Sequence, residues 1–246
     1  MAYETLAGAY DRLTLDIPYE EILAFYEKLM ALYGCRPETV LDLACGTGSL
    51  SVLLAEKGYQ VLGADQSVEM LTEAYEKAMR AENNRPYFVR QKMQTLRLPY
   101  PVDCAVCCLD SLNYLTKPED CRKTLSRVYD SLNPGGLFIF DINSEAKLRG
   151  LDGQIFLDED DEVYCVWRAE FDSASRICTY GMDIFLREGK LWQRAGEVHR
   201  EYAYTEAELR SWLAEAGFTD IRVFGDRRLD APQENEQRLF FAAKKE

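Results

Sequence analysis

The run Val40-Leu41-Asp42-Leu43-Ala44-Cys45-Gly46-Thr47-Gly48-Ser49-Leu50 carries the residue types best suited to hold a small polar ligand. Val40, Leu41 and Leu43 read as a short buried strand, Gly46 and Gly48 break it, and Ser49 to Ala55 resumes at helical spacing. A strand–glycine turn–helix leaves backbone N–H groups pointing outward and lets a ligand reach the main chain without meeting a Cβ. Asp65 lies 19 residues beyond Gly46 (65 − 46) and closes the apolar run Gln60-Val61-Leu62-Gly63-Ala64. An acid at that distance, at the tip of the next strand, is placed to accept from ribose hydroxyls. A tight turn without a ligand, with Asp65 as a plain helix cap, is the simpler alternative.

Two adenosine-bearing ligand classes use such a turn: dinucleotides and S-adenosylmethionine. The dinucleotide fingerprint has a third glycine for close helix–strand packing, and Ser51 stands there. Asp42, inside the strand, has no partner in a dinucleotide site, but it could orient the turn or face a ligand's ammonium group. The string Asp42-Leu-Ala-Cys-Gly-Thr-Gly48 resembles motif I of the class I S-adenosylmethionine-dependent methyltransferases. The resemblance implies S-adenosyl-L-methionine as cofactor. Ala44, Gly46 and Gly48 would face its methionine part, Asp65 would take the ribose hydroxyls, and Gln66 and Met70 would border the adenine. Asp42, Met93 and Leu109 complete the implied cofactor site. The family usually supplies an acid after the third strand for the adenine amino group. In Phe88-Val-Arg-Gln-Lys92-Met93 that position is Lys92, which cannot accept, so either Gln91 or backbone groups around Met93 would substitute, or the adenine contacts are weaker here. Tyr3-x-x-Leu-Ala-x-x-Tyr10-Asp11 resembles the family's N-terminal segment that folds over the cofactor. That makes Tyr10 both a cofactor contact and a candidate catalytic residue, with packing in a helix core as its plainer role.

Methyl transfer from a sulfonium is an in-line displacement with a good leaving group. The protein must mainly hold methyl and acceptor at attack distance and remove a proton where the acceptor carries one. No metal is required, which suits a chain with one histidine and no metal-ligand spacing. Leu109-Asp110-Ser111-Leu112-Asn113-Tyr114 follows the fourth strand and differs from the Asn/Asp-Pro-Pro-Tyr motif of enzymes that methylate nucleobase amines. Asp110, Asn113 and Tyr114 are candidates to line the acceptor pocket, or else they form a capping turn before the helix at Pro118. His199 shares one strand face with Gln193, Glu197 and Glu201. A solvated polar face explains that pattern simply. The sharper reading has this face roofing the active site, with His199 as base or acceptor-positioning residue.

The elements that must position these groups alternate along the chain. Strands are expected near 39–44, 60–65, 86–90, 103–109 and 136–142, with helices near 49–58, 67–81 and 118–132. Ile22, Phe25, Tyr26, Leu29 and Tyr33 mark one apolar face of a helix within 11–33, with Pro18 in its first turn. This rhythm predicts an α/β fold: a Rossmann-like, doubly wound, mostly parallel sheet with ligands at the strands' C-terminal ends. From about 150 the pattern changes to three strand-like runs, Glu162–Phe171, Ile177–Arg187 and Leu191–Tyr204, joined by short turns. Thr205-Glu-Ala-Glu208 then signals a helix that ends at Gly217. Strands near 219–225 and 238–244 would close the main sheet with an antiparallel pair. The expected organisation is a helical lid segment over 1–34, a core over 35–145 and 205–246, and an antiparallel β insertion over 146–204. An insertion after the fifth strand is similar to the small-molecule branch of the family, which includes amino-sugar and glycine N-methyltransferases.

With 29 basic against 42 acidic residues the net charge is −13. That argues against nucleic acid or anionic lipid as partner, since either needs a cationic footprint. The N-terminus lacks the basic and apolar segments of a signal peptide, and no apolar run approaches a membrane span. Eight cysteines sit mostly in apolar strands; Cys104 and Cys107, three apart in one strand, should face opposite sides of the sheet. They read as small buried hydrophobes in a reduced, cytoplasmic protein. The leading expectation is a methyltransferase acting on a small-molecule acceptor, an amine among the candidates. A non-catalytic S-adenosylmethionine-binding protein and a nicotinamide-dependent dehydrogenase are the rivals, the latter disfavoured by Ser51 and Asp42. Edge strands of the insertion could pair between subunits.

Overall fold

The computed structural model describes residues 17–81 and 84–246. Among them are helices α1 (Tyr19–Leu32), α2 (Ser49–Glu56), α3 (Val68–Met79), α4 (Pro118–Ser131), α5 (Glu145–Gly150) and α6 (Glu206–Ala216). The main sheet contains β1 (Thr39–Leu43), β2 (Gln60–Asp65), β3 (Tyr87–Arg90), β4 (Val102–Cys107), β5 (Leu132–Asn143), β10 (Thr219–Phe224) and β11 (Arg238–Lys244). Their order across the sheet is β10-β11-β5-β4-β1-β2-β3. The five strands from β5 to β3 run parallel, and β11 is antiparallel to both β5 and β10.

Helices cover both faces, which is why the inner strands are apolar at successive positions instead of alternating. On one face Phe25, Tyr26 and Leu29 of α1 and Leu54 of α2 pack with Val40, Val106, Ile139 and Phe240. On the other, Leu125 and Val128 of α4 and Leu209 and Leu213 of α6 pack with Leu41, Ala105, Phe138 and Phe140. Cys104 belongs to the first layer and Cys107 to the second, and all eight cysteines are free. Pro18 occupies the N-cap of α1, one place earlier than its fit to the first turn suggests. Thr205 and Glu208 close a reciprocal capping box at the start of α6, and Gly217, in the left-handed region, ends it.

Gly63 of β2 allows a close approach between β2 and β3. A Cβ built there lies 2.5 Å from the Phe88 ring and 3.0 Å from Cys45 Sγ. The ring is buried and meets Tyr75 edge-on at 5.3 Å, so it has little room to yield. Gly63→Ala is therefore expected to destabilise by about 1–3 kcal/mol through overpacking. Thermal denaturation should register a Tm lower by about 2–10 °C, and an unchanged Tm would contradict this packing.

A second, antiparallel sheet contains β6 (Ile155–Glu159), β7 (Val163–Asp172), β8 (Ile177–Glu188) and β9 (Leu191–Tyr202), in that order. It has one strand more than the three runs legible in the sequence. Among the described residues β6 pairs only with β7, its Ile155 and Leu157 are exposed, and acids follow it directly. An edge strand of that composition has no alternation to reveal it. The sheet meets the core where β9 packs against the short turn Ser111–Tyr114 and where Arg176 pairs with Glu208 of α6 at 2.7 Å.

Packing also corrects the reading of β9 as a solvated polar face. Gln193 is exposed, but Glu197, His199 and Glu201 are 8%, 3% and 3% exposed. Alternation shows which residues share a face but not what covers it.

Candidate active site

A cavity of about 280 Å³ opens at the C-terminal ends of β1, β2 and β4. Its wall includes Asp42, Ala44, Gly46, Asp65, Gln66, Met70, Met93, Leu109 and Tyr114. The turn after β1 is held open by left-handed backbone at Ala44 (φ 58°) and Gly46 (φ 55°), and the N–H of Cys45 reaches the Ala64 carbonyl at 3.2 Å. Gly48 (φ 74°) is outside the wall. A Cβ there would lie 3.0 Å from both Ala74 and the Phe88 ring, so this glycine serves the docking of α2 against α3 and β3.

Two acids organise this wall. Asp65 accepts from the N–H of Gly46 at 3.0 Å with one oxygen and from the N–H of Ser67 at 2.8 Å with the other. It thereby ties the glycine turn to the start of α3, where Ser67 caps the helix by accepting from the Met70 N–H at 3.1 Å. Burial raises its pKa, partly offset by the Ser67 and Gly46 donors. Asp42 is 1% exposed and accepts from Ser51 Oγ at 2.5 Å. Burial pushes it up to about 7, the Ser51 hydroxyl works against that rise, and the Asp65 charge adds to it. Ser51, where a dinucleotide site has glycine, is thus the partner of Asp42. The motif displayed that pair, although its contact was not read from it.

After β3, Gln91 and Met93 line the cavity and Lys92 does not. Both ends of the Gln91 amide are engaged with the Arg97 backbone, each at 2.8 Å.

The loop after β4 contains two consecutive left-handed residues, Leu109 (φ 56°) and Asp110 (φ 50°). Such backbone costs energy in non-glycine residues and persists only where its surroundings enforce it. Asp141, buried in β5, does so by accepting from the N–H of Leu109 at 2.9 Å and of Asp110 at 3.0 Å. Arg238 at the start of β11 donates to Asp141 and pairs with Asp110 at 2.7 Å, and the Tyr26 hydroxyl donates to Asp141 at 3.3 Å. The neighbouring arginine opposes the upward pull of burial on the Asp141 carboxyl. Sequence reasoning missed both partners of this loop, Asp141 and Arg238, and the Tyr26 hydroxyl that supports Asp141. The one signal was a lone acid inside Leu137-Phe-Ile-Phe-Asp-Ile142.

Of the acceptor candidates in that loop, Tyr114 lines the cavity, whereas Asp110 and Asn113 do not. Asp110 is engaged by Arg238. Asn113 is fully buried; its Nδ2 donates to the carbonyls of Asn143 and Tyr202, each at 3.0 Å, and its Oδ1 accepts from the Asn143 N–H at 3.1 Å. It fastens the loop to β5 and β9. The His199 ring meets Tyr114 edge-on, with centroids 5.9 Å apart. Its Nε2 lies 2.9 Å from Glu197 Oε2, with both side chains buried. Nearby, Glu201 accepts from Asn143 Nδ2 at 2.8 Å and is pushed up to about 8, chiefly by burial. Tyr10 lies outside the described residues. Among those residues no three His, Cys, Asp or Glu side chains gather as a metal-binding group, and no helix is long and apolar enough to cross a membrane.

A wound sheet with a glycine turn after β1, a carboxylate at the tip of β2 and an antiparallel sheet inserted after β5 defines a Rossmann-like nucleoside-cofactor enzyme. Comparison with known proteins narrows the class: the chain belongs to the S-adenosylmethionine-dependent methyltransferases. The family described as a methyltransferase domain matches residues 40–136. A protein of Geobacillus sp. (strain WCH70) named for methyltransferase activity alone is 36% identical, with all of both chains covered. A glycine/sarcosine N-methyltransferase of Aphanothece halophytica is 29% identical over 90% of this chain and 81% of its own. Among solved structures, an S-adenosylmethionine-dependent methyltransferase from Clostridium acetobutylicum ATCC 824 superposes with a TM-score of 0.88 at 30% identity, covering 100% of this chain and 99% of that one.

Proposed function

We propose that this methyltransferase moves the methyl group of S-adenosylmethionine to a small-molecule amine. The observation that carries the reading is the buried Glu197–His199 pair set against Tyr114, a residue of the cofactor cavity wall. An amine acceptor is protonated at neutral pH and must lose a proton before it can attack. His199, oriented by Glu197, is the group proposed to take it. The similarity to a glycine/sarcosine N-methyltransferase supports an amine, and the net charge of −13 supports a small acceptor over nucleic acid.

The cofactor supplies an activated methyl on a sulfonium; the chain's part is to hold and orient it. The open turn Ala44–Gly46 in the cavity wall, the carboxylate of Asp65 and the buried acid Asp42 fit a ligand with a methionine end and a ribose. Tyr10 and the chain before α1 are proposed as the lid, α1 itself being packed into the core, and 146–204 as the insertion that shapes the acceptor pocket. Incubating the protein with S-adenosylmethionine and a panel of small amines, alcohols and carbon acids tests this reading. Release of S-adenosylhomocysteine with amines is expected. Release only with hydroxyl or carbon acceptors overturns the amine, and cofactor binding without release from any acceptor favours a binding protein.

Asp42 makes cofactor affinity pH-dependent. Burial pushes its carboxyl pKa up to about 7. A ligand ammonium beside it favours the charged form and lowers that pKa, so binding releases a proton. Affinity should therefore be level above pH 7 and fall by up to about tenfold per unit as the pH drops below it. Isothermal titration of S-adenosylmethionine between pH 5.5 and 8.5 should show this slope, and Asp42→Asn should flatten it. A wild-type affinity independent of pH would refute the ammonium role.

A further inference from the structure

Among the described residues, three carboxylates belong to the wall of the cofactor cavity: Asp42, Asp65 and Asp120. Asp42 is engaged by Ser51, and Asp65 by the glycine turn and the start of α3. Asp120 stands in the first turn of α4, and its side chain is 27% exposed. Its main chain is committed to the helix start, the N–H donating to the Lys117 carbonyl at 2.9 Å and the carbonyl accepting from Thr124 at the same distance. Its carboxylate has Lys123 Nζ at 3.3 Å, on an exposed lysine. Such a pair is weak and yields easily to a better donor.

The sheet sets the direction in which the cofactor must lie. The glycine turn follows β1, Asp65 ends the adjacent β2, and Gln91–Gln94 follow β3, beyond β2. A ligand with its methionine end on the turn and its ribose on Asp65 extends its base towards Gln91–Gln94. Helix α4 packs against the turn Met93–Thr95, and Asp120 shares the cavity wall with Met93 and Gln94. The base of that ligand presents one exocyclic amine, a donor whose strongest partner is a carboxylate. The Gln91 amide oxygen already accepts from the Arg97 N–H.

We infer that Asp120 accepts a hydrogen bond from the N6 amine of the cofactor's adenine and so selects adenosine over purines that lack this amine. The inference rests on the placement of the ribose at Asp65. A first-turn acid that merely complements the helix dipole would confer no preference between bases.

Isothermal titration with S-adenosylhomocysteine and with its 6-deamino analogue, in which hydrogen replaces the amine, separates the two roles. Wild type is expected to prefer S-adenosylhomocysteine by about tenfold or more, the scale of a hydrogen bond to a charged group. Asp120→Ala should abolish the preference by weakening S-adenosylhomocysteine alone. Asp120→Asn, which keeps an acceptor oxygen without the charge, should retain part of it. A wild type without preference overturns the inference, as does an Asp120→Ala variant that keeps the wild-type ratio or weakens both ligands equally. Loss of tight binding to both ligands in Asp65→Ala, with the ratio retained, is expected if the ribose placement holds. If Asp65→Ala binds both ligands as wild type does, the ribose placement itself fails.

Discussion

Replacing His199 with alanine is expected to lower kcat for an amine acceptor by about 10²–10⁴-fold, the contribution of a positioned general base, and to leave the Kd for S-adenosylmethionine near that of wild type. The split follows from position. His199 meets Tyr114 by its ring edge but is not itself in the cofactor cavity wall, so removing it should touch proton transfer and acceptor placement before cofactor binding. A structural effect must be separated from the chemical one. Without the imidazole, the Glu197 carboxylate loses a partner 2.9 Å away in a site where both side chains are almost fully buried. A buried acid that loses a hydrogen-bond partner costs stability, so the alanine variant should also melt at lower temperature. Glu197→Gln removes the charge while keeping a hydrogen-bonding side chain. It should lower kcat less than His199→Ala, because it alters the orientation of the imidazole and not its presence. Rapid-quench measurement of a single turnover, with cofactor pre-bound, reads the chemical step directly. Wild-type turnover in His199→Ala on an acceptor that wild type methylates would end the proposed role.

The contrast between what could and could not be read from the chain is a contrast between near and distant neighbours. The turn from Asp42 to Gly48 and the acid at position 65 lie within one β–α–β unit, where a fixed strand length and a single helix set the spacing. The capping box of Thr205 and Glu208 is equally local, and it stands where its pattern places it. The clamp on Leu109 and Asp110 is of the opposite kind. Its members come from α1, β5 and β11, with Asp141 lying 115 residues from Tyr26 and 97 from Arg238. No pattern along the chain links those positions; only the antiparallel pairing of β11 with β5 brings Arg238 beside them. Asn113 shows a related limit. A polar residue in a loop after a strand suits a ligand contact or a structural fastener equally well, and the arrival of β9 determines which. The buried acids and His199 on β9 were grouped correctly by alternation, yet their burial depends on what the inserted sheet packs against. For β6 the obstacle was composition, since its acids obscure the period that marks a strand.

Asp65→Ala is expected to raise the Kd for S-adenosylmethionine by about 10²-fold or more. In the proposed complex Asp65 accepts from both ribose hydroxyls, and each hydrogen bond to a charged group contributes about 1.5–3 kcal/mol. The same carboxylate holds the N–H groups of Gly46 and Ser67 at 3.0 and 2.8 Å, so its loss also loosens the turn that faces the methionine end. Asp65→Asn is not a mild substitution at this position. Each carboxylate oxygen faces a backbone donor, so an amide must turn its NH₂ towards either the Gly46 N–H or the Ser67 N–H, setting donor against donor. The asparagine variant should therefore bind nearly as poorly as alanine, although it matches aspartate in shape. An analogue lacking both ribose hydroxyls distinguishes the direct contact from the loosened turn. It should bind wild type far more weakly than S-adenosylmethionine does, and bind Asp65→Ala with nearly the affinity of the full cofactor. Should the two ligands differ as much in Asp65→Ala as in wild type, the hydroxyls must be held elsewhere, and Asp65 would be left with the turn alone.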